Sequence, residues 1–408
     1  ILISKNLISI FFALQFFPTP VSSQGIKVSS PESVGISSAR LNRIDPVIND
    51  YVNKGKIPGV VALIARHGKV VYYKSFGMEN IEAHKKMSDD ALFRIMSMTK
   101  PITSVAVMTL YEEGKFLLSD PVSKYIPEFK NPKVAIKSST SGTVELVPAK
   151  SEISIRELLN HTSGIAGSLS DTPASVKTKI TALAKMPLQS QPGEEFHYGY
   201  SYDVLGYLIE VISHMPFDEY LKKHIFEPLK MKDTYFNIPQ NKYSRLSSLY
   251  KMNTGKLEEV TDDFSSSVPQ IYFSGGGGLI SKASDYLRFA RMILNKGELE
   301  GVRILSRKTI ELITQNSIRD LFIYNPSKTN LGIIGDKYGY GFGIRTERGV
   351  YNGPESMGTF GWDGAYYTRF WIDPKEDMIG IFLSQVQNNW SSSLIGKFRV
   401  LAYQAISD

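Results

Sequence analysis

Residues 93–110 read FRIMSMTKPITSVAVMTL, and the rest of the chain is organised around them. Ser97 is followed three residues later by Lys100, and Ile102, Val105, Ala106 and Leu110 then recur at the spacing of a buried helical face. A helix starting at about Ser97 puts Pro101 in or next to its first turn, where a missing N–H costs least. It also sets Lys100 one turn beyond Ser97 on the same side. A serine hydroxyl becomes a good nucleophile when something takes its proton, and a lysine can do so when burial or neighbouring charge favours its neutral form. The unpaired N–H groups of a helix start favour negative charge on the attacking or attacked oxygen. Ser97 is therefore a candidate nucleophile and Lys100 its candidate base. The tetrapeptide alone equally describes an N-cap serine beside a solvated lysine. A second copy, Ser248-Leu249-Tyr250-Lys251, runs into Asn253-Thr254-Gly255 and reads as strand and turn.

The sequence opens ILISKNLISIFFALQFFPTPVSSQG. Lys5, an apolar run from Leu7 to Phe17 and small residues around Ser22 and Ser23 describe a signal peptide over residues 1–23. The run is too short for a bilayer core of about 30 Å, so no stable membrane anchor is expected after its removal. The expected location is outside the cytoplasm, periplasmic or extracellular. The sequence has no cysteine, which excludes disulfides, thiolate metal sites, thiol nucleophiles and lipid attachment through cysteine. The net charge of +7 is scattered. Its densest patch, from Lys222-Lys223 to Lys230 and Lys232, is interleaved with Glu227 and Asp233 and reads as a solvated face, so no nucleic-acid partner is expected.

An amphipathic helix is predicted over Ser37–Val52, with a kink or break where Pro46 interrupts it. Residues 59–66 (GVVALIAR) and 69–76 (KVVYYKSF), separated by His67-Gly68, read as a β-hairpin. Residues 137–151 are polar and aperiodic and read as a surface excursion. Ser154 can cap a short helix that leads to His161, which reads as a structural residue. Tyr198 precedes a helical pattern through Val204, Leu208 and Val211. It is either aromatic packing or, with a lysine nearby, a proton shuttle. Gly275–Gly278 fits no phosphate-binding layout and reads as close backbone packing or a site-lining loop. A helix from Ser284, a strand-rich tail from Tyr338 and a last helix at 392–405 complete the pattern. Strands, a helical insertion and more strands make the fold class α+β. The expected sheet part is about 24–95 and 240–408, with a helical part at about 96–239.

Four motifs in order, Ser97-Met98-Thr99-Lys100, LLNHTSG at 158–164, PGEEFHYGYSYDVLG at 192–206 and FGWDGAYYTRFWIDP at 360–374, resemble the serine β-lactamase and penicillin-binding-protein superfamily. Within it the chain is similar to the class C β-lactamase-like branch that contains the family VIII carboxylesterases. The resemblance implies an antiparallel sheet flanked by helices, an inserted all-helical part and a site between the two. It implies that Ser97 is acylated, that Lys100 is the base and that Tyr198 relays the proton. It also implies a third motif at Trp362-Asp363-Gly364, in which Gly364 admits substrate closely. The N–H groups of Ser97 and Ala365 would form the oxyanion hole.

Two departures bear on substrate. Trp362 stands where a basic residue usually begins the third motif, and offers apolar area without charge. Tyr200 stands where the second motif usually has an asparagine. Both favour a neutral ester, with Tyr200, Trp362, Asp363 and Gly364 as substrate-binding positions. Arg369, five residues beyond Gly364, reads as facing solvent rather than as a restored partner for a substrate carboxylate. The expected function is a secreted serine hydrolase of carboxylic esters. The alternatives are a D-alanyl-D-alanine carboxypeptidase, D-aminopeptidase or weak β-lactamase, and a non-catalytic relative that binds peptidoglycan or a partner. Substrate would be a small ester, a β-lactam or a D-amino-acid peptide. No metal or other cofactor is implied, since the six histidines show no ligand spacing.

Overall fold

The computed structural model describes residues 26–137, 143–165, 175–261, 271–321, 323, 336–346, 353–387, 389 and 392–408. The stretch assigned to a signal peptide, residues 1–23, lies outside the described residues.

The frame is an eight-stranded sheet. Its order is Asp336–Tyr338, Gly343–Arg345, Phe360–Gly364, Thr368–Asp373, Met378–Leu383, Gly59–Arg66, Lys69–Asn80 and Lys85–Lys86. Every neighbouring pair is antiparallel. The continuous apolar run GVVALIAR is explained by its place near the middle, where all eight residues are buried. Val61, Leu63 and Ala65 enter the core on one face of the sheet, and Val60, Ala62 and Ile64 enter the core on the other. A strand covered on both faces needs no polar alternation.

On one face lie the helices Ile44–Asn53 and Leu394–Tyr403, whose Ile44, Ile48, Leu394 and Phe398 share a core with Tyr72 and Phe382. The predicted helix over Ser37–Val52 is broken into Ser38–Leu41 and Ile44–Asn53, so Pro46 falls in a first turn rather than an interior. On the other face Thr99–Glu112, Ser201–Ser213 and Ala283–Leu294 build the larger core. Residues Thr99–Met108 are buried all round, not on one stripe, because this helix runs between the sheet and the helical part. Its buried hydroxyls are satisfied: Thr103 Oγ1 donates to Gly275 O at 2.8 Å, and Ser104 Oγ bonds Tyr202 Oη at 2.9 Å.

The surface excursion read over residues 137–151, of which 138–142 lie outside the described residues, holds strand structure. Lys133–Lys137 pairs with Val144–Pro148 as a hairpin whose Ile136, Val144 and Leu146 stay exposed. With little burial to impose a period, the alternation that marks a strand was missing. The second Ser-x-x-Lys copy lies in the strand Leu249–Asn253, as its turn signal indicated. Ser154 closes a capping box with Glu157 at the helix Ile155–Leu159.

Candidate active site

Ser97 sits in a single 3-10 turn, Met96–Met98, directly before the helix Thr99–Glu112. Met96 adopts φ 46°, a conformation that costs a non-glycine residue about 1–3 kcal/mol and persists only where its surroundings enforce it. Here Ile95 N–H donates to Leu279 O at 3.0 Å, and Met98 N–H donates to Ile95 O at 3.0 Å, fixing the turn from both sides. Lys100 follows one turn on and is 4 % exposed. Its Nζ lies 3.1 Å from Ser97 Oγ and donates to Gly276 O at 2.6 Å. The carbonyl of the four-glycine run thus aims the amine at the hydroxyl.

Tyr198 brings its ring under the same amine, with Lys100 Nζ 4.5 Å from the ring centroid. Its phenolic oxygen accepts a 3.0 Å hydrogen bond from Trp362 Nε1. Trp362 therefore supplies more than apolar area. An indole only donates, so the phenol keeps its own hydrogen for another acceptor. His161 packs against Tyr198, with ring centroids 4.6 Å apart, and against Phe196, Tyr202 and Tyr338. It is fully buried and neither ring nitrogen has a partner among the described residues. Burial, then the nearby Lys100 ammonium, holds its imidazole well below the ordinary range, so it is neutral.

The third motif forms the strand Phe360–Gly364, joined to Thr368–Asp373 by the turn Ala365-Tyr366-Tyr367, with Tyr367 at φ 66°. A Cβ on Gly364 would lie 2.4 Å from Ile95 O and 2.1 Å from Thr368 Oγ1. The glycine is thus required by the contact between this strand and the turn that carries Ser97. Asp363 forms a two-point ion pair with Arg369. Arg369 is therefore engaged, contrary to its reading as solvent-facing, because the hairpin register sets the two residues directly opposite each other. A cavity of about 1000 Å³ has Ser97, Tyr198, Trp362, Asp363 and Ala365 in its wall. Tyr200 is occupied differently: Lys179 Nζ lies over its ring at 4.3 Å.

Sequence reasoning missed the partner of Lys100, since the oxygen of Gly276 is backbone and 176 residues away. The four-glycine run was its one trace. A Cβ on Gly275 would come within 2.2 Å of Tyr202 O, so the run packs as tightly as its composition suggested. Among the described residues no group of three or more His, Asp or Glu side chains could hold a metal ion, and no helix is long and apolar enough to cross a membrane.

Comparison with known proteins gives the same fold. Protein Rv1367c of Mycobacterium tuberculosis is 33% identical over 359 residues, covering 83% of this chain and 88% of its own length. Esterase EstB of Burkholderia gladioli is 27% identical over 382 residues, covering 84% and 90%. Among solved structures, simvastatin synthase (LovD) of Aspergillus terreus superposes with a TM-score of 0.76 at 22% identity, over 89% of this chain and 98% of its own. EstCE1, described as a hydrolase with promiscuous acyltransferase activity, gives 0.74 at 24% identity, over 91% and 99%. The family model named Beta-lactamase matches residues 44–404, nearly all of the described fold, so this serine hydrolase belongs to the beta-lactamase family.

Proposed function

We propose that the chain is an exported serine hydrolase that cleaves carboxylic esters through an acyl-enzyme on Ser97. The carrying observation is the 3.1 Å approach of Lys100 Nζ to Ser97 Oγ under the grip of Gly276 O. In the neutral amine one N–H stays on Gly276 while the lone pair takes the Ser97 proton. The serine oxygen then bonds to the ester carbonyl carbon, and the carbonyl oxygen gains charge beside the N–H groups of Ser97 and Ala365. Losing one such donor typically costs about 3 kcal/mol of barrier. Tyr198 gives its phenolic hydrogen to the departing alkoxide and later takes one from the water that releases the acid. The proton held by Lys100 returns to Ser97 when the acyl bond breaks.

The ester reading is supported by the charge balance of the third motif. Trp362 carries no charge, and Arg369, the cation on the paired strand, is committed to Asp363. A free cation that would hold the carboxylate of a β-lactam or a D-alanyl peptide is therefore not offered by this hairpin. The 27% identity to an esterase points the same way. The peptidase alternative keeps its own support, since Salmonella relatives at 27% identity are named as candidate D-alanyl-D-alanine carboxypeptidases.

Purified protein should hydrolyse p-nitrophenyl acetate and butyrate and carry a fluorophosphonate adduct on Ser97. Ser97→Ala should lose both; equal turnover by that variant rejects the mechanism. Efficient nitrocefin or D-Ala-D-Ala turnover with negligible ester turnover would reverse the substrate assignment. Export is tested by expressing the full sequence with its first 23 residues and locating the product.

A further inference from the structure

Behind Lys100 lies a second buried charge that the hydrolytic scheme does not use. Asp203, in the first turn of the helix Ser201–Ser213, is 3 % exposed. Its Oδ1 accepts from Tyr272 Oη and, at 2.6 Å, from Ser274 Oγ. Both donors stand on the segment that leads into Gly275 and Gly276. A methyl group on Gly276 would meet Asp203 Oδ2 at 3.3 Å and Lys100 Nζ at 3.6 Å, so the carboxylate and the amine flank one glycine. On the far side of Asp203, Lys179 donates to Tyr272 Oη at 2.6 Å and lies over the rings of Tyr200 and Tyr272 at 4.3 and 4.2 Å. Burial pushes the Lys179 ammonium down, and Asp203 opposes this. Burial, then Asp203, raises the Tyr272 phenol, which therefore stays a donor.

We propose that Asp203 is a positioning residue for Lys100. It ties down, through Tyr272 and Ser274, the glycine segment whose carbonyl aims the amine, and its carboxylate flanks the same Gly276 as that amine. The inference rests on the reading of Lys100 as the base. The other groups around the amine are the Ser97 hydroxyl, the rings of Tyr198 and Tyr202, and the neutral His161. None of these carries negative charge at neutral pH. Asp203 thus sets a carboxylate beside the glycine that holds Lys100, and the pH profile of the reaction reads its effect on the amine. A buried carboxylate within a few ångströms of an ammonium favours the charged form.

Asp203→Asn keeps the shape and can still accept from Tyr272 and Ser274, but removes the charge. The acid limb of kcat/KM for p-nitrophenyl butyrate should then move to lower pH by about one unit or more. The plateau should fall about tenfold, because an amide oxygen holds Tyr272 and Ser274 more weakly than a carboxylate does and lets the glycine segment loosen. Lys179→Met leaves the carboxylate wholly to Lys100, and should move the same limb upward by about half a unit. A purely structural Asp203 would leave the limb in place in both variants, and that result overturns the proposal. If Asp203→Asn does not fold, an unmoved limb in Lys179→Met overturns it alone. Fluorophosphonate labelling of Ser97, followed across the same pH range, separates the two claims. No adduct in the unaltered protein refutes the acyl-enzyme reading, whereas an adduct with unmoved limbs refutes only the role of Asp203.

Discussion

Trp362 Nε1 donates to Tyr198 Oη at 3.0 Å, joining the first residue of the third motif to the tyrosine of the second. The bond takes one lone pair of the phenol and aims a donor at the oxygen on which charge would develop as the leaving group departs. Trp362 also holds the phenol in place, with ring centroids 5.6 Å from Tyr198 and 4.9 Å from Tyr338. Trp362→Phe keeps these ring contacts and removes only the donor. The expected loss in kcat is about tenfold or somewhat more, the worth of one hydrogen bond to a developing charge. KM should change little, and steady-state kinetics on p-nitrophenyl butyrate read the split. An unchanged kcat would mean that the indole merely packs.

Gly275→Ala tests the backbone side of the site. The added Cβ would press within 2.2 Å of Tyr202 O, a backbone atom fixed in the helix Ser201–Ser213. Either the helix or the glycine segment must shift, and with it the Gly276 carbonyl that holds Lys100. Overpacking of this kind typically costs about 1–3 kcal/mol. We expect that loss in a urea titration, together with a fall in kcat of about a hundredfold. Native activity in this variant would show that the carbonyl does not set the position of the amine.

The contrast between these two sites explains what could be read without coordinates. The hairpin at Gly59–Arg66 and Lys69–Asn80 announces itself by β-rich apolar runs on either side of a His-Gly turn, and the helix behind Ser97 by apolar residues three and four apart. Ser97, Lys100, Tyr198 and Trp362 are legible because they occur in ordered motifs. The grip of Gly276 on Lys100, the strain at Met96 and the pairing of Asp203 with Tyr272 and Ser274 leave no such trace. They are made by backbone atoms or by residues far apart in the chain, whose meeting depends on how the helical part packs on the sheet. The hairpin at Lys133–Lys137 and Val144–Pro148 was missed for the opposite reason: it is exposed, so nothing forces its pattern.

His161 gives the molecule an acid sensitivity with a defined sign. Its imidazole is neutral in the folded state because burial, then Lys100, depresses it. The unfolded chain binds a proton at about pH 6.5, so the unfolded state gains protons first as pH falls. Stability linked to this group is complete above about pH 6.5 and declines below it by up to about 1.4 kcal/mol per pH unit. His161→Phe removes the titration and leaves no ring nitrogen without a partner. The stability difference between pH 7.5 and pH 5.0, read from urea titrations, should shrink by up to about 2 kcal/mol in the variant. An equal difference in both proteins would place the acid sensitivity elsewhere.

Asp233 titrates in the other direction and reaches the site by a short route. Burial would raise its carboxyl, but Arg245, Lys242, Lys282 and Tyr235 overcome this and hold it far below the usual carboxylate range. The contacts are 3.0 Å to Arg245 Nη1, 2.7 Å to Lys242 Nζ, 2.8 Å to Lys282 Nζ and 2.8 Å to Tyr235 Oη. Its stability contribution is present above the unfolded value near 3.9 and is lost as pH falls through the folded one. Asp233→Asn strands three cations, two of which keep Asp90 as a remaining partner. Breaking a buried charge pair by removing one partner costs about 3–5 kcal/mol, and the exposed share of this cluster brings the expectation to about 2–3 kcal/mol at pH 7. The deficit should narrow at pH 3.5, where the unfolded chain has begun to bind the proton that the native carboxylate still excludes. Lys282 directly follows the strand Ile280–Ser281, which pairs with Phe93–Arg94 just before the strained turn at Met96. Loosening the cluster therefore loosens both chains that frame Ser97, and kcat/KM should fall several-fold even at temperatures where the variant is fully folded. Full activity in a destabilised Asp233→Asn would show instead that the Met96 turn is held by its own contacts with Leu279 alone.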